Sequence, residues 1–559
     1  MLADPEQILL VEPERAPRRV VFLTYQRTTF TDALRTATCL RRHGAYSPVF
    51  LVCEGKAGLV APQVQECHRL GISCFTEEEL LSRGWRASFE AGDDIPTHSS
   101  YRSQEGSRNA ARPGRAPLWV KLRQRAGIAS VALTRLVAKR RRERVFEAWR
   151  RSALGHWQLK RGRLKAFKLA RAGASCGLVA ALLRAELNFR RILQRLAPDI
   201  VCLSEDIPEI FSSPFIRAAR RKRIPSVIIP FTIPNVLELA EDRLAQKRSW
   251  LARLDERVAA LAYPRWGMQY KGRLLLRANP GLIDALERRG LAPPNPWMTN
   301  SGYADRIAVE SERMFSVYRN AHFPERQLAL TGSCADDLLF AALRDKDARR
   351  SAVYRELGLP DDLPMLLSSL VPDQLGSGVP RCEFKEYVAL IEFWVRTLAA
   401  WSQKMNVVLK INPRYGREQF LDLENWGVKV APHDTIELVP LSDIYVASVS
   451  STLRWAIACG IPSINYDVYH YRYGDFADVS GIVHVESKAE FSGAVAQLVE
   501  DKMHREELRR LQGLEAPRWA RLDGRSTERL VGLLDGCVSG STGGRSRLQR
   551  RVLRHQKSG

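Results

Sequence analysis

Leu441–Tyr466 reads LSDIYVASVSSTLRWAIACGIPSINY. Asp443–Ala447 is a short apolar and aromatic run with strand character. It delivers a serine-rich turn directly onto an apolar helical stretch, Ser450–Cys459, which leads to a second strand, Pro462–Tyr466. Strand, helix and strand in that order are the unit of a parallel α/β sheet. Ser448, Ser450, Ser451 and Thr452 supply hydroxyls where the first strand ends. The first N–H groups of a helix lack intrahelical partners, and its dipole places positive potential there. The pattern predicts a phosphate cradle without a glycine-rich loop. An ordinary Ser/Thr N-cap uses the same residue types.

Working outward, Val408–Arg414 (VLKINPR) ends another strand and enters a loop. Lys410, Asn412 and Arg414 are candidates for contacts to the phosphate or ribose of a nucleotide; Asn-Pro is also a plain turn starter. Pro364–Leu367, Asn406–Ile411, Val428–Val430 and Ile482–Val485 are further strands, and Glu383–Lys404 a long helix. The N-terminal half shows the same alternation. Strands are expected at Arg19–Thr24, Pro48–Cys53, Pro198–Leu203, Pro225–Pro230, Arg306–Glu310 and Gln327–Thr331, with a long helical region over Val236–Ala262. The expectation is α/β, with two Rossmann-like domains facing a cleft. Residues 1–344 form the first, with a basic helical insertion over about 96–195; 345–518 form the second; 519–559 are a C-terminal segment with a basic tail.

KINPR, the SVSST turn and GIPSINYD together resemble the nucleotide-binding domain of GT-B glycosyltransferases that build bacterial surface carbohydrate, such as capsule and lipopolysaccharide. The sialyltransferase-like and glycerophosphotransferase-like groups are the nearest. Those proteins carry a His-Pro motif at a strand end and a Ser-Ser motif at a helix start. Ser450-Ser451 fits the second, while Asn412-Pro413 puts Asn in the place of His. APDIVCLSED and RIAVESERMFSVYRNAHFPERQLALTGSCADD resemble the same proteins' N-terminal units, and the likeness covers about residues 19–55 and 198–500. It implies a donor-nucleotide site at Lys410, Asn412, Arg414, Ser448, Ser450, Ser451 and Thr452, with the first domain on the acceptor side. The nucleotide sugar is then a substrate and no cofactor or metal is expected.

Ser204-Glu205-Asp206 follows the Pro198–Leu203 strand, so both acids stand at the edge where open α/β sheets hold ligands. An inverting transferase needs a carboxylate there as general base on the acceptor hydroxyl. Asp206 is expected in that role ahead of Glu205, although a loop acid pair also caps helices. Sialyltransferase-like proteins have Gly after their acid pair, where this chain has Ile207. Thr24, Tyr25 and Arg27 after the first strand, and Thr232 after Pro225–Pro230, are candidates for the acceptor side. Asp345 and Asp347 match a D-x-D pattern but fall in a charged stretch, so they are expected in solvent. The motifs of zincins, serine hydrolases and P-loop NTPases are missing from the sequence.

The 559 residues are 45% hydrophobic and 26% charged, which excludes a mainly disordered chain and a polytopic membrane protein. The net charge of +24 is concentrated: Tyr101–Arg195 carries +21 and Ser541–Gly559 carries +6, leaving the remainder at −3. Lys139–Arg142 and Arg150-Arg151 stand among Trp119, Trp149 and Trp157. Bases interleaved with Trp suit an anionic membrane surface or a lipid-linked acceptor, and suit nucleic acid less. A solvated arm without a partner is the plain alternative. The ten cysteines include no C-x-x-C pair, and MLADPEQILLVEPER lacks the bases of a signal peptide. The expected location is the cytoplasm, peripheral on the inner face of the cell membrane. The expected function is metal-independent sugar transfer from a nucleotide-activated donor to a surface polysaccharide or glycolipid. The alternatives are a UDP-sugar 2-epimerase-like enzyme and a non-catalytic module binding nucleic acid or membrane.

Overall fold

The structure is a computed structural model and describes residues 16–25, 27–53, 60–82, 177–208, 211–245, 250–375, 382–412 and 415–555. It holds two separate parallel sheets with helices on their faces. The first has seven strands: β1 (Arg18–Thr24), β2 (Tyr46–Val52), β3 (Ser73–Thr76), β4 (Ile200–Leu203), β5 (Ser226–Ile228), β8 (Arg306–Val309) and β9 (Leu328–Leu330). Their order across the sheet is β3-β2-β1-β4-β5-β8-β9. The second sheet contains β10 (Met365–Ser369), β11 (Asn406–Lys410), β12 (Lys429–Val430), β13 (Ile444–Ala447), β14 (Ser463–Tyr466) and β15 (Ile482–Val485), in the order β12-β11-β10-β13-β14-β15. The α/β architecture with two Rossmann-like sheets is therefore as the sequence predicts.

The strands read as nearly continuous apolar runs because both faces of each sheet are covered. Along β1, Val20 and Phe22 pack with Phe30 and Ala37 of the helix Arg27–His43. Val21 and Leu23 face the other way, onto Phe189 and Ile192 of the helix over 177–196 and onto Phe215 and Ile216. The end of the expected insertion is thus a core helix of the first sheet, and its apolar spacing serves that packing. In the second sheet Leu366, Val407 and Leu409 meet Leu390, Trp394 and Phe491, while Leu367, Val408 and Tyr445 face Leu453 and Ile457.

One local expectation needs correcting, the start of the helix after the serine turn, and one hairpin was not foreseen. The helical region expected over Val236–Ala262 is present as the helices Val236–Ala245 and Trp250–Ala262, with 246–249 outside the described residues. A hairpin follows, β6 (Gly267–Tyr270) against β7 (Arg273–Leu276). Its turn residues Lys271 and Gly272 take φ 46° and 70°, the positive values of a tight two-residue hairpin turn. The helix expected from Ser450 begins only at Leu453 and ends at Ala458.

The last helix, Ser526–His555, returns to the first sheet and buries Leu530 and Leu534 beside β1 and β2 residues. Asp337 accepts from Ser526 N (2.8 Å), Thr527 N (2.8 Å) and Thr527 Oγ1 (2.7 Å), satisfying donors at that helix start. Further along, Asp535 takes Arg18 and the Tyr46 hydroxyl.

Candidate active site between the two sheets

The carboxyl ends of both sheets face one another, where strand-to-helix loops gather side chains. Asn235 after β5 donates to Asp475 after β14 at 2.7 Å, and Arg313 pairs with Asp478 at 2.9 Å. Between the edges lies a cavity lined from one side by Asp32, Arg35, Ser204, Thr232, Glu310 and Ser333, and from the other by Ser451, Arg454 and Trp455.

The acid pair after β4 is divided. Asp206 is fully buried and turns away from the cavity into the 301–304 loop. Its carboxylate accepts from Tyr303 N (2.7 Å), Ala304 N (3.0 Å) and Ser301 N. Burial pushes its pKa up to about 6 against the pull of those donors. Both oxygens are committed, so this carboxyl organises a loop. Glu205 turns toward β1, where the Tyr25 hydroxyl donates to it at 2.9 Å and the Tyr25 ring stacks on Phe211. Thr24 is buried with its hydroxyl 3.4 Å from that of Thr29. Of the acceptor-side candidates, Thr232 lines the cavity. The Arg27 side chain, Arg414 and the Trp- and Arg-rich stretch before residue 177 lie outside the described residues.

The donor candidates surround the edge of the second sheet. Ser369 stands level with Lys410, and Ser368 with Val446, so β10 separates Lys410 from the serine turn. Two strand spacings put them about 10 Å apart. Lys410 Nζ donates to Pro432 O at 3.3 Å, and burial lowers its pKa. Asn412 O closes a turn onto Tyr415 N at 3.0 Å. In the turn, Ser450 and Thr452 share a hydroxyl hydrogen bond of 2.8 Å. Val449 takes φ 41°, a strained setting for a β-branched residue, and its N–H is held by Asn465 Oδ1 at 2.8 Å. Ser448 Oγ is buried with no hydrogen-bond partner among the described residues. The six-residue helix Leu453–Ala458 is too short for a large dipole, so any anion here meets hydroxyls and turn amides first.

Residues not singled out in the sequence dominate the cavity's electrostatics. Arg454 lies in an otherwise apolar helix and pairs with Asp336 at 3.0 Å across the two halves, with both side chains nearly inaccessible. It also donates to Trp519 O at 3.1 Å. Asp32 binds Arg35, whose guanidinium lies over the Trp455 ring at 5.6 Å. Glu310 is the first residue past β8, at the same carboxyl edge that Glu205 reaches two residues past β4. Burial pushes its pKa up to about 7, with Arg454 pulling it down. Arg454 could have been found as a lone base on an apolar helix, which requires a buried partner. Among the described residues no group of three or more His, Cys, Asp or Glu is placed to hold a metal ion. Among them, too, no helix is long and apolar enough to cross a membrane.

No protein-family model matches the chain, and no curated protein matches it. Solved structures similar to it include the UDP-GlcNAc 2-epimerase from Neisseria meningitidis bound to UDP-GlcNAc, at 11% identity over 92% of this chain and 99% of that one, TM-score 0.44. A variant of the wall teichoic acid polymerase TagF is similar at 12% identity over 62% of this chain and 74% of that one, TM-score 0.41. MurG from Acinetobacter baumannii is similar at 11% identity over 93% of this chain and 100% of that one, TM-score 0.42.

Proposed function

We propose that the protein transfers a sugar from a nucleotide-activated donor to a surface polysaccharide or glycolipid acceptor. The observation that carries this reading is the cavity between the carboxyl edges of two parallel sheets, lined by hydroxyls and charges from both. In this reading the donor phosphates lie on the Ser448–Thr452 turn. The unpartnered Ser448 hydroxyl and the turn amides would bind them, with Lys410 and Arg414 adding positive charge. Donors already held in place stabilise the charge that builds on the departing phosphate, so a bound metal is not required. Thr24, Tyr25, Glu205 and Thr232 would shape the acceptor side, and transfer would invert the anomeric centre. Asp206 would support this site through the 301–304 loop.

The segment of high positive charge before residue 177 would hold the protein on an anionic membrane where lipid-linked acceptors reside. Deleting 118–171 should reduce sedimentation with anionic liposomes while sparing turnover on a short soluble acceptor. Equal sedimentation of the deletion variant would remove the membrane role.

Incubation with a panel of nucleotide sugars and glycan acceptors, with and without EDTA, tests the activity. Acceptor-dependent release of the nucleotide that survives EDTA is the expected result. Epimerised nucleotide sugar without transfer would select the 2-epimerase reading. Loss with EDTA and recovery with magnesium or manganese would overturn the metal-independent mechanism.

A further inference from the structure

We propose that Glu310 is the catalytic base of this site, the carboxylate that takes the proton of the attacking acceptor hydroxyl. The inference rests on the sugar-transfer reading and adds a residue to it. Strand β8 carries Glu310 to the carboxyl edge of the first sheet, on the wall of the cavity opposite Ser451 and Arg454. The residue is only 5% exposed, yet its Oε2 has no hydrogen-bond partner among the described residues. A buried carboxylate oxygen without a donor is costly, and native folds keep few such atoms without a function for them. Glu310 lines the cavity, so its carboxylate, with acceptor capacity unused, is the group that a ligand hydroxyl placed there would meet.

The surroundings keep this carboxyl from becoming a permanent ion-pair partner. Arg454, from the helix Leu453–Ala458, is bonded directly to Asp336 from the helix Cys334–Arg344. Asp32 and Arg35, from the helix Arg27–His43, bond to each other. Tyr318, from the helix Glu312–Asn320, receives a hydrogen bond from Asn300 at 2.6 Å. Glu310 therefore experiences the Arg454 charge without its hydrogen bonds. Its proton affinity near neutrality is what a general base at working pH needs. Glu205, held by Tyr25 outside the cavity lining, is a positioning residue in this account.

The acceptor O–H gives its proton to the Glu310 carboxylate as the oxygen's electron pair forms the bond to the anomeric carbon. The bond from that carbon to the donor phosphate oxygen breaks, and its electron pair leaves with the nucleotide. Glu310, now a neutral acid, returns its proton to water.

The test uses the full chain and the variants Glu310→Gln and Glu310→Asp, assayed across pH with a nucleotide sugar found active in the panel. Glu310→Gln should lower kcat by about 10²–10⁴-fold and abolish the acid limb of the profile. Its affinity for UDP or CMP, measured by calorimetry, should stay within about threefold of the parent. Glu310→Asp should keep the acid limb and part of the rate. An active parent with a Glu310→Gln variant of similar rate and unchanged pH profile would overturn the assignment alone. A parent that turns over no nucleotide sugar would overturn the transfer reading, and this proposal with it.

Discussion

Glu205 and Asp206 are adjacent, chemically alike and turned to opposite sides of β4. Asp206 holds three backbone donors of the 301–304 loop. Removing its carboxylate in Asp206→Ala would leave those donors buried and unpaired. The expected loss is on the order of 3–5 kcal/mol in chemical denaturation, and about 1–3 kcal/mol for Asp206→Asn, which keeps one acceptor. Glu310 acts on stability with the opposite sign. Its folded pKa of about 7 lies above the ordinary carboxylate value of 4.5, so ionisation opposes folding. The penalty is absent while both states are protonated, below about pH 4, and grows as pH rises to about 7. Glu310→Gln should therefore gain stability over the parent progressively from about pH 5, reaching the order of 3 kcal/mol above about pH 7. Residue type and strand-end position were legible for Glu205, Asp206 and Thr232. Their orientation was not, because which side of a strand end faces the cavity depends on loops distant in sequence, such as 301–304.

Strands were the most legible elements, since a buried parallel strand leaves an apolar run that few other settings produce. The hairpin β6–β7 was hidden because its turn is Lys271-Gly272, without the Asn-Gly or Asp-Gly signal. The helix after the serine turn was expected too early, because Ser450 and Thr452 bond to one another in a turn before Leu453. The helix Ser526–His555 has a consequence that can be measured. It buries Leu530, Val531 and Leu534 against the first sheet and binds Asp337 and Arg18. Ending the chain before Ser526 would expose these apolar contacts and leave Asp337 unpaired. The expected outcome is an insoluble or dye-binding product, whereas a chain ended after Gly540 should keep a single cooperative melt. Equal melts for the two truncations would show that the return of this helix is dispensable.

At the scale of the molecule, the two-sheet plan was readable from the repeated strand–helix–strand alternation, but the contacts that join the halves were not. Arg454 to Asp336, Asn235 to Asp475 and Arg313 to Asp478 each link residues more than a hundred positions apart. The first pair is buried, so breaking it by Arg454→Ala should cost about 3–5 kcal/mol, read as a lower denaturation midpoint. Arg454→Met, paired with Asp336→Leu, should recover much of that loss, because apolar partners of similar volume replace a buried ion pair at little cost. The same double variant should turn over poorly, since the cavity beside Glu310 would lose its only directly facing guanidinium apart from Arg35 among the described residues. The central claim is that the two carboxyl edges form one nucleotide-sugar cleft. A crystal structure of the protein soaked with a nucleoside diphosphate tests it most directly. The account predicts phosphate density on the Ser448–Thr452 turn, within hydrogen-bond reach of Ser448 Oγ, with the cavity at Glu310 open beside it. A nucleotide bound outside the cleft, or none bound at millimolar concentration, would contradict it.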